Sequence, residues 1–146
     1  MQRFSDETER VLRAAGWQPG RQVDTGSWRR RLESAGLPMH DAAEQFLSEF
    51  GGLLVEVDGP GISRARTPFE LDPALADGEE DRFTDWSQEI GEAIVPVGEL
   101  DNGRYFLGIS DSGEIHLVAD WLASFGPVGE ALDGLILGIA PKIVRE

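Results

Sequence analysis

The stretch IVPVGELDNGRYFLGISDSGEIHLVA, residues Ile94–Ala119, decides the fold. It divides into three runs of strand-forming residues: Ile94–Leu100, Arg104–Ile109 and Glu114–Ala119. Asp101-Asn102-Gly103 separates the first two, and Asn-Gly is the pair that best tolerates the positive φ angles of a tight hairpin turn. Ser110-Asp111-Ser112-Gly113 separates the second two. Tyr105, Leu107 and Ile109 share one face of their run, as do Ile115, Leu117 and Ala119 of theirs. A period of two predicts a sheet with one well-buried face. Pro96 predicts a bulge or a free edge in the first run. The meander contains no helix of its own, so the rest of the chain must cover it.

Working outward, Glu79-Glu80-Asp81 precede a helix with Phe83, Trp86 and Ile90 on its apolar side and Gly91 at its end. Further upstream, Leu53–Val57 reads as a strand and Asp58–Gly61 as a turn. Thr67–Leu71 reads as a paired strand that Pro68 places at an edge, and residues 72–80 read as loop. Three helices come before these. Ser5 caps the first, with Asp6 and Glu7 at the positive end of its dipole. Thr25 or Ser27 starts the second, with Trp28, Leu32 and Ala35 on one side. The third starts between Pro38 and Asp41, carries Ala43, Phe46, Leu47 and Phe50 at helical spacing, and stops at Gly51-Gly52. Downstream, Trp121–Gly126 reads as a compact apolar link. Pro127 opens a last helix that Gly138 ends, and Ile139–Val144 reads as a tail. With no repeat or linker, residues 1–146 read as a single α+β domain. Its central antiparallel sheet, a strand pair plus a three-strand meander, is flanked by helices.

The chain has 146 residues, no cysteine and a formal charge of −14. Lack of cysteine excludes disulfides, thiol catalysis and thiolate zinc sites. No run reaches the apolar length of a membrane span, and the N-terminus lacks an apolar leader, so the expected compartment is the cytoplasm, with no membrane partner. The acidity is local. Residues 70–101 contain eleven acids and Arg82 as their only base. Such a field repels nucleic acid and attracts basic partners. Asp77, Glu79, Glu80, Asp81, Asp85, Glu89, Glu92, Glu99 and Asp101 are therefore the candidate partner-binding residues; the plain alternative is a solvated acidic face.

No catalytic, cofactor-binding or metal-binding residue is assigned. With 27 acids, some carboxylate pair always looks suitable for acid–base work, so the pattern carries no information without geometry. His116 reads as a half-exposed strand histidine sharing a face with Glu114 and Val118. Ser110-Asp111-Ser112 lacks the strand–turn–helix setting of a nucleophile elbow and reads as turn chemistry. Arg21 could bind a ligand, but Pro19-Gly20 beside it reads as punctuation. Arg29-Arg30-Arg31 could touch phosphate, but its segment is nearly neutral and reads as a solvated face.

A family resemblance rests on ordered landmarks. These are Gly16-Trp17-Gln18-Pro19-Gly20-Arg21, Trp28, Phe46-Leu47-Ser48-Glu49-Phe50-Gly51-Gly52-Leu53, Pro96-Val97-Gly98-Glu99, Tyr105–Ser110 with Asp111-Ser112-Gly113, and Phe125-Gly126. In order and spacing they resemble the third clade of the SUKH superfamily of bacterial immunity proteins. The resemblance implies a SUKH-like α+β domain. It also implies a protein without enzymatic activity that binds and neutralises a secreted polymorphic toxin. Toxins countered by this superfamily are commonly nucleases or nucleic-acid deaminases. The superfamily's regulatory scaffolds make a general interaction domain the alternative, and a small hydrolase using carboxylates with His116 is a third reading.

Overall fold

Antiparallel pairing organises the chain from its first strand to its last. The computed structural model describes residues 3–146 and places seven strands in one sheet, in sequence order. They are β1 (Leu54–Val55), β2 (Phe69–Glu70), β3 (Ile94–Leu100), β4 (Tyr105–Ser110), β5 (Glu114–Val118), β6 (Leu122–Pro127) and β7 (Lys142–Arg145). The flanking helices are α1 (Asp6–Ala14), α2 (Gly26–Ser34), α3 (Asp41–Phe50), α4 (Glu80–Ile90) and α5 (Val128–Leu137). The class is α+β, as expected. Met1 and Gln2, part of the segment read as lacking a leader, lie outside the described residues.

Several local expectations need correction. The apolar link after Asp120 is β6, and the tail contains β7, so the strand pair and meander are one continuous seven-stranded sheet. β2 is not an edge strand, because it lies between β1 and β3. Pro68 stands just outside it, where no ladder donor is needed, and its carbonyl accepts the Asp101 N–H at 2.8 Å. The β3–β4 loop spans four residues, since Leu100 pairs with Tyr105. Asp101, Asn102 and Gly103 all have positive φ, at 59°, 55° and 84°, so this is a longer left-handed loop than a two-residue turn. The loop at 72–80 contains a 3₁₀ turn, Pro73–Ala76, capped by Asp72. The bulge expected at Pro96 is present, as the register against β4 shifts between Pro96 and Gly98.

The central strands are buried on both faces, not one. α4 lies over the face carrying Phe106 and Gly108. The Phe83 and Phe106 rings are 6.3 Å apart, and a Cβ on Gly108 would come within 2.9 Å of Phe83. Leu107, Ile109, Ile115 and Leu117 point the other way and are equally enclosed. α3 packs on β3 and β4, and α5 on β5 and β6. Two-sided burial explains why Ile94, Val95 and Val97 form a nearly unbroken apolar run.

The landmarks Trp17, Arg21, Trp28 and Gly51 meet at the C-terminus of α3. Its last carbonyls lack intrahelical donors. Arg21 supplies them, donating to Glu49 O at 2.7 Å and Gly51 O at 2.9 Å, which makes its role structural. Trp17 is buried, stacks on Phe50 and donates to Glu49 Oε2 at 3.1 Å. A Cβ on Gly51 would sit 2.5 Å from the Trp28 ring and 2.5 Å from Leu47 O. We predict that Gly51→Ala costs about 2 kcal/mol by forcing aside both Trp28 and the Leu47 carbonyl at the helix end, lowering Tm by roughly 6 °C in a calorimetric scan. An unchanged Tm would show that both yield freely.

Candidate protein interface

α4 turns its acids outward because Phe83 turns inward. Asp81, Asp85 and Glu89 recur every four residues, so they form one row along the helix, and all three are exposed. Glu80 and Asp81 also suit the positive end of the helix dipole. Polar contacts reinforce the packing of Phe83. Trp86 Nε1 donates to Ala119 O at 3.0 Å, and Arg82 bridges Asp120 at 2.8 Å and Glu79 at 3.4 Å. Between α4, the β5–β6 turn and the chain end lies an open groove of about 600 Å³. Glu79, Asp81, Asp85, Glu89, Asp120 and Glu146 line it, with Arg82, Trp86 and Ala119. Asp81 and Asp85 have no ion-pair partner among the described residues, and Glu89 meets Arg145 only at 3.8 Å.

The nine predicted residues therefore do not form one surface. Glu79, Asp81, Asp85 and Glu89 line the groove, and Glu80 is on the same helix. Asp77 pairs instead with Arg31 of α2. Glu92 accepts the Ser112 hydroxyl at 2.6 Å. Asp101 meets Arg104 at 3.5 Å in the β3–β4 loop. Glu99 stands directly opposite Glu70 in the β2–β3 register. Burial first, then the charges of Glu70 and Asp72, push its carboxyl above the usual range. Sequence reasoning missed Trp86, Asp120 and Glu146 as groove residues, and only the fold brings them to α4. The arginine triplet is largely engaged within the fold: Arg29 pairs with Glu44 at 3.0 Å, and Arg31 with Asp77.

Catalytic geometry is not assembled around His116. The side chain is 2 % exposed, not half-exposed as expected, because both sheet faces are covered. Its Nε2 is 3.9 Å from Glu114 Oε2, and its Nδ1 has no partner among the described residues. Ser124 donates to Glu114 at 2.9 Å, so the carboxylate separates the hydroxyl from any Ser–His relay. Among the described residues, no three His, Cys, Asp or Glu side chains converge as a metal site requires. The other histidine caps α3: His40 Nδ1 accepts the Ala43 N–H at 3.1 Å, leaving Nε2 to donate to Ala93 O at 2.9 Å.

Burial lowers the His116 pKa below its usual value, with Glu114 opposing the shift. The native state therefore holds the neutral ring, while the unfolded chain takes up a proton near pH ~6.5. His116 contributes its full stability above that pH and loses it as pH falls toward the folded pKa. Glu99 has the opposite sign. Its raised pKa makes the native state bind its proton first, so its contribution grows as pH falls. Urea titrations should show stability falling more steeply below pH ~6.5 in wild type than in His116→Gln. Parallel curves would show that His116 is not buried as a neutral ring.

The model for SUKH-3 immunity protein matches residues 4–138. The chain belongs to the SUKH-3 immunity protein family. The match begins at Phe4 and ends at Gly138, so β7 lies beyond it. No curated protein and no solved structure gave a match. The landmarks that meet at the α3 terminus, Trp17, Arg21, Trp28 and Gly51, all fall within the matched residues. No helix among the described residues is long and apolar enough to cross a membrane.

Proposed function

We propose that this SUKH-3 domain binds a cognate secreted toxin of basic charge, a nuclease or nucleic-acid deaminase, and blocks its active surface in the cytoplasm of the producing cell. Family membership supports the immunity role. The observation that supports a basic partner is the exposed row Asp81, Asp85 and Glu89 along a groove lined by six acids and one base. A toxin that binds nucleic acid presents Lys and Arg to phosphates. The acidic row steers that surface onto α4 and competes for it. Such inhibition needs no turnover, cofactor or metal, and an enclosed His116 is consistent with that. A general interaction scaffold is the alternative reading. The test is co-expression with the toxin encoded by the neighbouring gene, followed by co-purification. Rescued growth with a stable complex is expected. Rescue without a complex, or no rescue, would overturn the proposal.

A further inference from the structure

The opposite edge of the sheet has a feature the fold does not explain. Leu54, Glu70 and Glu99 form one cross-strand row over β1, β2 and β3, so their side chains share a face. Like charges directly opposite one another destabilise a sheet. Glu70 and Glu99 are both only partly exposed, and neither has an ion-pair partner among the described residues.

β1 is an edge strand and, among the described residues, pairs with β2 alone. Burial alternates from Gly52 to Asp58, so the extended run continues past the two paired residues. Leu53, Val55 and Val57 face inward, while Leu54, Glu56 and Asp58 face outward. Leu54 is 47 % exposed. Among the described residues, backbone donors and acceptors on the outer side of this run have no strand to pair with, and such an edge is a template for strand addition.

We infer that the partner adds a strand to the free edge of β1, with an apolar side chain against Leu54 and the flanking Lys or Arg side chains laid against Glu56 and reaching across Leu54 toward Glu70. This rests on the proposed neutralisation of a basic toxin and specifies one way in which that toxin is held. Glu56 and Glu70 select the occupant. A second copy of this chain brings more negative charge to the same row, whereas a basic strand neutralises it. The destabilising Glu70–Glu99 pair is then a cost of the free state that binding removes.

The test uses a synthetic peptide alternating Lys and Val, with an alternating Glu–Val peptide as control, titrated into the isotopically labelled full chain. Amide signals of residues 53–57 should shift and gain exchange protection with the Lys peptide only. A Glu56→Gln, Glu70→Gln double variant should bind about tenfold more weakly, since it removes two charge partners, yet melt at a higher temperature because the repulsion between Glu70 and Glu99 is gone. Shifts confined to α4 or β7, equal binding of both peptides, or undiminished binding by the double variant would overturn strand addition. Toxicity rescue is a separate readout, so failure here leaves the immunity role standing, and failure of rescue is recognised without the peptide.

Discussion

Replacing Asp81, Asp85 and Glu89 together with lysine is expected to slow association with the toxin by about 10- to 1,000-fold and to abolish growth rescue at ordinary expression levels. The three side chains are exposed and outward, and among the described residues only Glu89 has an ion-pair partner, loose at 3.8 Å. Such surface substitutions cost about 0.5 kcal/mol or less at Asp85 and Glu89 and up to about 1 kcal/mol at Asp81, which lies in the first turn of α4, so loss of binding would not reflect unfolding. The mechanism is long-range. Opposite charges raise the encounter rate, and added salt screens them beyond about 8 Å at physiological ionic strength. Wild type should therefore associate more slowly as salt rises. The triple variant should show a flat or reversed dependence, measured by stopped-flow mixing. An unchanged rate and slope would place the docking face elsewhere.

Phe83→Ala is expected to be the most damaging single core change on α4, at about 3–5 kcal/mol. Phe83 is fully buried, packs against Phe106 and fills the space over Gly108, where any other residue would intrude. The loss is a large share of the roughly 5–15 kcal/mol that holds a domain together, and Tm should fall by on the order of 10 °C. There is a functional consequence as well. Phe83 seats the helix whose outer side carries the acidic row, so the variant should also lose affinity at temperatures where it remains folded. Phe83→Leu refills most of the volume and should recover most of both properties. If Phe83→Ala melts within about 2 °C of wild type, α4 is held by Trp86 and Arg82 instead.

What the sequence disclosed follows from how local each signal is. The Gly-terminated helices were legible because Gly16, Gly36, Gly91 and Gly138 adopt the positive φ that ends a helix cheaply. The meander was legible because its alternation spans whole strands. β6 and β7 were not. β6 does not alternate, being buried at Leu122, Ala123 and Phe125, and it ends in Gly126-Pro127; β7 has four residues and pairs with β6 only across α5. His40 was missed as a cap because histidine is not among the usual capping residues. His116 was misjudged because alternation assumed one covered face. The apolar run Ile94, Val95 and Val97 was the available sign of two. The acidic segment was legible as charge but not as shape. The fold keeps part of it on the groove beside α4, ties up Asp77 and Glu92, and sets Glu99 against Glu70.

The most direct test of neutralisation by binding is a stoichiometric titration of the purified toxin's activity with this chain. Inhibition by occlusion predicts a linear fall that reaches zero near one equivalent, with a complex recovered at that ratio. Complete inactivation by a small fraction of an equivalent would mean catalytic detoxification, and undiminished activity at several equivalents would mean no inhibition; either result contradicts the account.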